Sequence, residues 1–264
     1  MTRRSFIPSV AAMAAGVASQ EGSAAEGSKP NVIIELRRIQ QRNGPDNMRQ
    51  RAMDFMEKHA LPAYQRAGAG PVGFFQASIG PETPFLLQLV TYPSLAAVEQ
   101  VQAKMKADAA FTSALEASNT QAGLNYVRID SSLLRAFDGF PTVEAPSGVG
   151  KRPSRIFEVR QYESNNLSTL RKKVQMFNDG EIGVFKRLGM QPVFFGETII
   201  GQRQPNLCYM LSYEDLTGRE KAWKAFGGDP EWKKLREMPG FSDAEIVSNI
   251  TNYIVSPLPF SPIR

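Results

Sequence analysis

Two pairs of opposite charges stand two residues apart in matching surroundings: Glu35 and Arg37 within Ile34-Glu35-Leu36-Arg37, and Glu158 and Arg160 within Phe157-Glu158-Val159-Arg160. Residues two apart on a β-strand share a face. Each pair therefore sets a carboxylate beside a guanidinium, and together they could line a polar pocket for a small molecule. They could equally be ion pairs between two layers, which need good geometry merely to offset their own desolvation. His59 and Glu181 form a second set. His59 is the only histidine in the chain, hence the sole imidazole that could hold haem and the sole side chain that titrates near neutral pH without perturbation. The plainer role for a lone helical histidine is that of a hydrogen-bonded boundary residue. Glu181, within Asn178-Asp179-Gly180-Glu181, has a structural role open to it as well, since a helix break there would turn it outward. No run of residues has the spacing of a metal site, and no serine triad can be assembled without arbitrary partners, so no catalytic residue is assigned. No cofactor is expected, haem on His59 being the single candidate.

A tandem duplication must position these residues. Arg66 and Arg187, Gly68 and Gly189, Pro71 and Pro192, Val72 and Val193, Pro84 and Pro205, Tyr92 and Tyr213, and Asp108 and Asp229 all recur at one spacing of 121 (189 less 68). The first unit spans residues 31–137 and the second 155–258, with a Pro/Gly-rich linker at 138–154 and a tail at 259–264. Alternating, β-branched Val32–Arg38 predicts a strand, and Asp46 or Asn47 caps a helix from Met48 to about Arg66. Strands at about 71–80 and 84–92 form a hairpin; a helix capped by Ser94 restarts at Asp108, and a strand follows at about 124–134. The second unit repeats each step. Thr217 and Glu220 read there as a capping box, Asp229-Pro230 as a helix start, and residues 246–255 as the last strand. The order βαββαβ in each half is the ferredoxin-like unit, so the fold class is α+β.

At 264 residues and 42% hydrophobic, the chain can bury two cores of ordinary size. A net charge of +5 would suit nucleic acid, but the basic residues are scattered among nearly as many acids, with no aromatic-interleaved basic run. Nucleic acid is not expected as a partner. Cys208 is the only cysteine, which excludes an intrachain disulfide. Thr2-Arg3-Arg4-Ser5-Phe6-Ile7, a mild apolar run from Val10 to Ala18, and small residues around Ser23-Ala24-Ala25 together resemble a twin-arginine export signal over residues 1–26. That run is too short for a stable membrane anchor. The expected location is therefore the periplasm, or another exported compartment.

Three segments carry a resemblance to the NIPSNAP family: Phe157-Glu158-Val159-Arg160-Gln161-Tyr162, Phe185-Lys186-Arg187-Leu188-Gly189-Met190-Gln191-Pro192-Val193, and Asp229-Pro230-Glu231-Trp232. The first unit echoes them in Ile34-Glu35-Leu36-Arg37 and Tyr64-Gln65-Arg66-Ala67-Gly68, but has Arg38-Ile39 for Gln161-Tyr162 and Phe111 for Trp232. The resemblance implies a dimeric α+β barrel, in which two ferredoxin-like sheets close face to face with helices outside. Here the duplication would let one chain close the barrel as a monomeric pseudo-dimer, or pair further as a homodimer. A sheet covered by helices on one face still has the other to bury. On that expectation Ile34, Leu36, Phe157 and Val159 lie under the helices, and Glu35, Arg37, Glu158 and Arg160 point into the barrel. The functional expectation is an exported protein that binds a small ligand or a protein partner through the barrel interior. Two alternatives are an enzyme of the monooxygenase or haem-degrading kind, argued from fold alone, and a scaffold acting through its helical face and proline-rich tail.

Overall fold

The computed structural model describes residues 30–146 and 155–264; the twin-arginine stretch and the end of the linker lie outside the described residues. In the first half β1 (Ile33–Gln40) leads into α1 (Met48–Phe55), a π-helical turn (Met56–Ala60) and α2 (Leu61–Ala67), which run on without a break. Then come β2 (Val72–Ile79), β3 (Phe85–Tyr92), α3 (Leu95–Ala107), α4 (Ala109–Thr120) and β4 (Arg128–Ala136). The second half repeats this with β5 (Ile156–Glu163), α5 (Leu167–Met176), a π turn (Phe177–Glu181), α6 (Ile182–Arg187), β6 (Gln191–Ile200) and β7 (Asn206–Tyr213). It continues through α7 (Leu216–Gly228), α8 (Pro230–Arg236), α9 (Asp243–Ile246) and β8 (Asn249–Pro257). The two π turns fall at the same place in the repeat, and Glu181 closes the second of them, buried and facing inward; the expected break does not occur.

Several helix starts follow from short polar side chains that accept orphan N–H groups. Ser94 accepts from the Ala97 amide, Asp108 from Phe111, and Asp229 from Glu231 and Trp232. The α7 cap is Asp215, which accepts from Gly218, rather than the expected Thr217–Glu220 box. The last strand of each half starts a few residues later than its apolar content suggests, at Arg128 and Asn249.

The eight strands close into one barrel in the order β1-β3-β2-β8-β5-β7-β6-β4. Its two seams join the halves antiparallel, β2 to β8 (Phe75 opposite Pro257) and β4 to β6 (Leu134 opposite Thr198). The halves thus share a single ladder, and every edge strand of one ferredoxin-like sheet is paired with the other. Two aromatic-rich layers lie between sheet and helices, one per half, and a third core fills the barrel.

The side-chain alternation is as the sequence predicts, but the faces are reversed. Ile34, Leu36, Phe157 and Val159 point into the barrel with Phe75, Leu87, Leu89, Phe194 and Met210. Glu35, Arg37, Glu158 and Arg160 face the helices instead. The reason is polar satisfaction: the barrel interior is lined by sheet on all sides, whereas each helix layer brings hydroxyl, indole and guanidinium partners. A ligand site inside the barrel is therefore ruled out by packing, apart from a pocket of about 110 Å³ at one mouth near Arg38, Asp130, Cys208 and Tyr253. Val143 and Ile263 add to the barrel core, and Ser261 accepts a hydrogen bond from the Phe74 amide. Of the other aromatics, Phe74, Phe195 and Trp232 belong to the helix-side cores. No helix among the described residues is long and apolar enough to cross a membrane.

Candidate functional site

Each half carries its Glu-x-Arg pair at the base of the space between sheet and helices, and the two spaces have opposite fates. In the second half the space is full. Glu158 is completely buried and accepts from Arg160 at 3.0 Å, Arg219 at 2.5 Å, Trp223 Nε1 at 2.8 Å and Asn252 at 3.1 Å. Burial alone would raise its pKa, but these donors together hold the carboxyl below its usual range. Arg160 also lies over the Trp223 ring at 4.4 Å and donates to Tyr162, whose hydroxyl meets that of Tyr209 at 2.8 Å. Beyond them Lys173 and Glu181, 0% and 1% exposed, pair at 3.2 Å, with Asp243 on the lysine at 3.1 Å. Burial works against the Lys173 charge, but the two carboxylates outweigh it and hold the lysine protonated. Phe177, Phe185, Phe226 and Trp232 fill what remains.

In the first half the same space is a cavity of about 530 Å³, within the ordinary range for small-molecule sites. The open space follows from the side chains. At the repeat spacing of 121, Ala52 stands where the second half has Lys173, Ala60 where it has Glu181, and Met56 where it has Phe177. Likewise Gln88 stands for Tyr209, Gln102 for Trp223 and Phe111 for Trp232. In each pair the smaller or more flexible side chain lines the cavity, and its larger counterpart fills the second half.

The walls are mostly apolar, from Ile39, Ala52, Phe55, Met56, Met105 and Phe111, and the base is polar. There Glu35 holds the Arg37 Nε at 2.6 Å and accepts from the Tyr92 hydroxyl at 2.8 Å. Arg37 reaches on with Nη1 to the Tyr64 hydroxyl at 3.2 Å. Burial opposes the Arg37 charge, but Tyr64 and Glu35 overcome it and keep the guanidinium ionised. Burial likewise pushes the Tyr64 phenol up, against the pull of Arg37, so it stays protonated. Beside them the Gln88 Nε2 is buried without a hydrogen-bond partner among the described residues. At the mouth Arg51 donates to the backbone carbonyls of Asp46 and Leu124, fixing the turn beyond α4. The cavity walls contain cationic and amide groups but no aspartate, glutamate or histidine.

Of the residues singled out from sequence, Arg37 lines the cavity and Glu35 orients it from behind. Glu158, Arg160 and Glu181 are brought together in the filled half. His59 is half-buried on the first π turn with its ring 5.6 Å from that of Phe55, outside the cavity walls. Among the described residues no cluster of three potential metal ligands occurs. Sequence reasoning missed Tyr64, Gln88 and the small residues Ala52 and Ala60. The signal was present in the repeat itself, as a consistent small-for-large difference between equivalent positions.

Comparisons with known proteins agree with this architecture. The NIPSNAP family profile matches residues 42–138 and 157–262, once in each half and well over half of the chain. No curated protein matches the chain. Among solved structures, a provisionally assigned monooxygenase from Lactobacillus acidophilus superposes with a TM-score of 0.55 at 10% identity, over 86% of this chain and 93% of that one. One from Fusobacterium nucleatum does so at 0.55 and 10%, over 88% and 94%. These likenesses concern the fold. An uncharacterised NIPSNAP-like domain protein from Burkholderia xenovorans is 23% identical over 41% of this chain and 89% of its own, with a TM-score of 0.37. With a matching domain in each half, the chain belongs to the NIPSNAP family.

Proposed function

We propose that this protein binds a small, largely apolar organic molecule in the first-half cavity between sheet and helices, the second half serving as its structural counterpart. One observation carries the reading: of two equivalent spaces, one is filled by a satisfied polar and aromatic network and the other is left open by six smaller side chains. A space of this size with apolar walls and a few polar groups at its base has the form of a small-molecule site, and the filled second half shows that the fold does not require it to be open. The enzyme reading would place a monooxygenase-type reaction in the same cavity. It is less well supported, because the walls offer no carboxylate or imidazole to take a substrate proton.

The test is titration with the neutral apolar dye N-phenyl-1-naphthylamine, alone and against the plugged variant Gln88→Tyr/Gln102→Trp, which copies the second half. The parent should bind one dye per chain, and the plugged variant should lose binding while gaining stability. Absence of dye binding, or equal binding by the plugged variant, refutes the reading. We also propose that the chain is exported by the twin-arginine route, on the strength of Thr2 to Ile7 and the apolar run that follows. Arg3→Lys/Arg4→Lys should strand the protein in the cytoplasm on cell fractionation; unchanged export of that variant overturns the proposal.

A further inference from the structure

We infer that the ligand of this cavity is an anionic amphiphile, a carboxylate or similar oxyanion on an apolar body, bound with its charged end against Arg37, Tyr64 and Gln88. The inference rests on the cavity reading above and adds a polarity and an orientation to it.

Three features of the base point the same way. Arg37 spends its Nε on Glu35 and one terminal nitrogen on Tyr64, leaving Nη2 directed at no other group the structure shows. Tyr64 accepts from Arg37, so its own proton is available to donate. Gln88, 5% exposed, has a buried Nε2 with no well-formed hydrogen bond among the described residues, the nearby Tyr64 hydroxyl being engaged by Arg37, an arrangement that is costly unless something else accepts from it. Three donors, one of them charged, thus converge on a base where the Tyr64 hydroxyl, already engaged by Arg37, is the side-chain acceptor at hand. The mouth adds Arg51 and Lys106, and no acidic side chain lines the space. The Glu35 carboxylate sits behind Arg37 and is occupied by it and by Tyr92, so it orients the guanidinium without occupying the cavity. Above this base the walls are Ile39, Ala52, Phe55, Met56 and Phe111, which suit an apolar body with ring or chain character.

The second half supplies the contrast. There the equivalent arginine, Arg160, lies over the Trp223 ring and has all three guanidinium nitrogens bonded, to Glu158 and Tyr162. In the first half Ile39 and Gln102 stand where Tyr162 and Trp223 do, and both line the cavity beside Arg37 without placing a ring over it.

The experiment is displacement of N-phenyl-1-naphthylamine by 2-naphthoate and, separately, by its neutral isostere 2-naphthamide. The acid should bind more tightly by on the order of tenfold to a hundredfold, the usual range for a hydrogen bond to a charged group. That advantage should shrink at least severalfold in Arg37→Met and in Tyr64→Phe, the latter keeping the ring and so the fold, while the amide binds as before. Equal affinity of acid and amide in the parent, or an advantage retained in Tyr64→Phe and Arg37→Met alike, overturns the inference while leaving the cavity reading intact. Failure of the neutral dye itself to bind removes both.

Discussion

Lys173→Met should be the most damaging single conservative change in the second half. The Lys173 and Glu181 side chains are 1% and 2% exposed, and Asp243, the third member, is half exposed at 50%. Removing the ammonium leaves Glu181 buried without a hydrogen-bond donor, since Lys173 is the one the structure shows for it. Breaking a buried pair from one side costs about 3–5 kcal/mol. With an m value of about 2–3 kcal/mol/M, that lowers the urea midpoint by roughly 1–2 M. Glu181→Leu should cost less, because Lys173 keeps Asp243. The double variant Lys173→Met/Glu181→Leu, an apolar version of what Ala52 and Ala60 achieve in the first half, should recover most of the loss. The coupling read from urea melts of all four proteins should then exceed ~1 kcal/mol. The pH dependence has a definite sign. Burial already raises the Glu181 pKa above its ordinary 4.5 in the intact protein, against the pull of Lys173; removing Lys173 raises it further, so relative to the parent the variant is favoured at low pH and loses ground as pH rises through the raised pKa. Its deficit should narrow as pH is lowered toward 4.5. Additive single effects, or a deficit that does not change with pH, would refute the reasoning.

The other expectations concern other parts of the molecule. Glu158 has a depressed folded-state pKa, so its contribution is present above 4.5 and lost as pH falls through the lower folded value; Glu158→Gln should flatten the acid limb of a stability profile in that window. The Cys208 thiol, pushed up to about 12 by burial, should resist iodoacetamide at pH 8 in the native protein and react once urea unfolds it; prompt native labelling would contradict the packed barrel. A Cβ at Gly196 would meet Leu134 Cβ at 2.9 Å and the Arg135 carbonyl at 3.3 Å across the β4–β6 seam. Gly196→Val should therefore lower stability by about 1–3 kcal/mol in a thermal melt, and a neutral result would argue against a closed seam.

Much of this architecture is legible in the sequence because it rests on local chemistry. The repeat spacing, the period-two strands, and the caps at Ser94, Asp108 and Asp229 all depend on residues near each other in the chain, and the structure has them as expected. The α7 cap differs because Asp215, two residues before Thr217, offers a carboxylate to the same orphan amides. Candidate residues were half legible: the charges in Glu-x-Arg marked the right strands, while the cavity depended on Gln88 and Gln102, which carry no pattern of their own.

What the sequence determined by itself was that there are two like halves and that Glu35, Arg37, Glu158 and Arg160 share a face opposite Ile34, Leu36, Phe157 and Val159. Which of those faces looks inward was decided by tertiary structure alone. Alternation is symmetric about a strand, and only the assembled barrel distinguishes a face enclosed by sheet on every side, which must be dry, from one roofed by helices that bring Tyr64, Arg219 and Trp223 within reach of a charge. The open cavity is of the same kind: its volume is a difference between two packed layers, and no single segment of either half contains it.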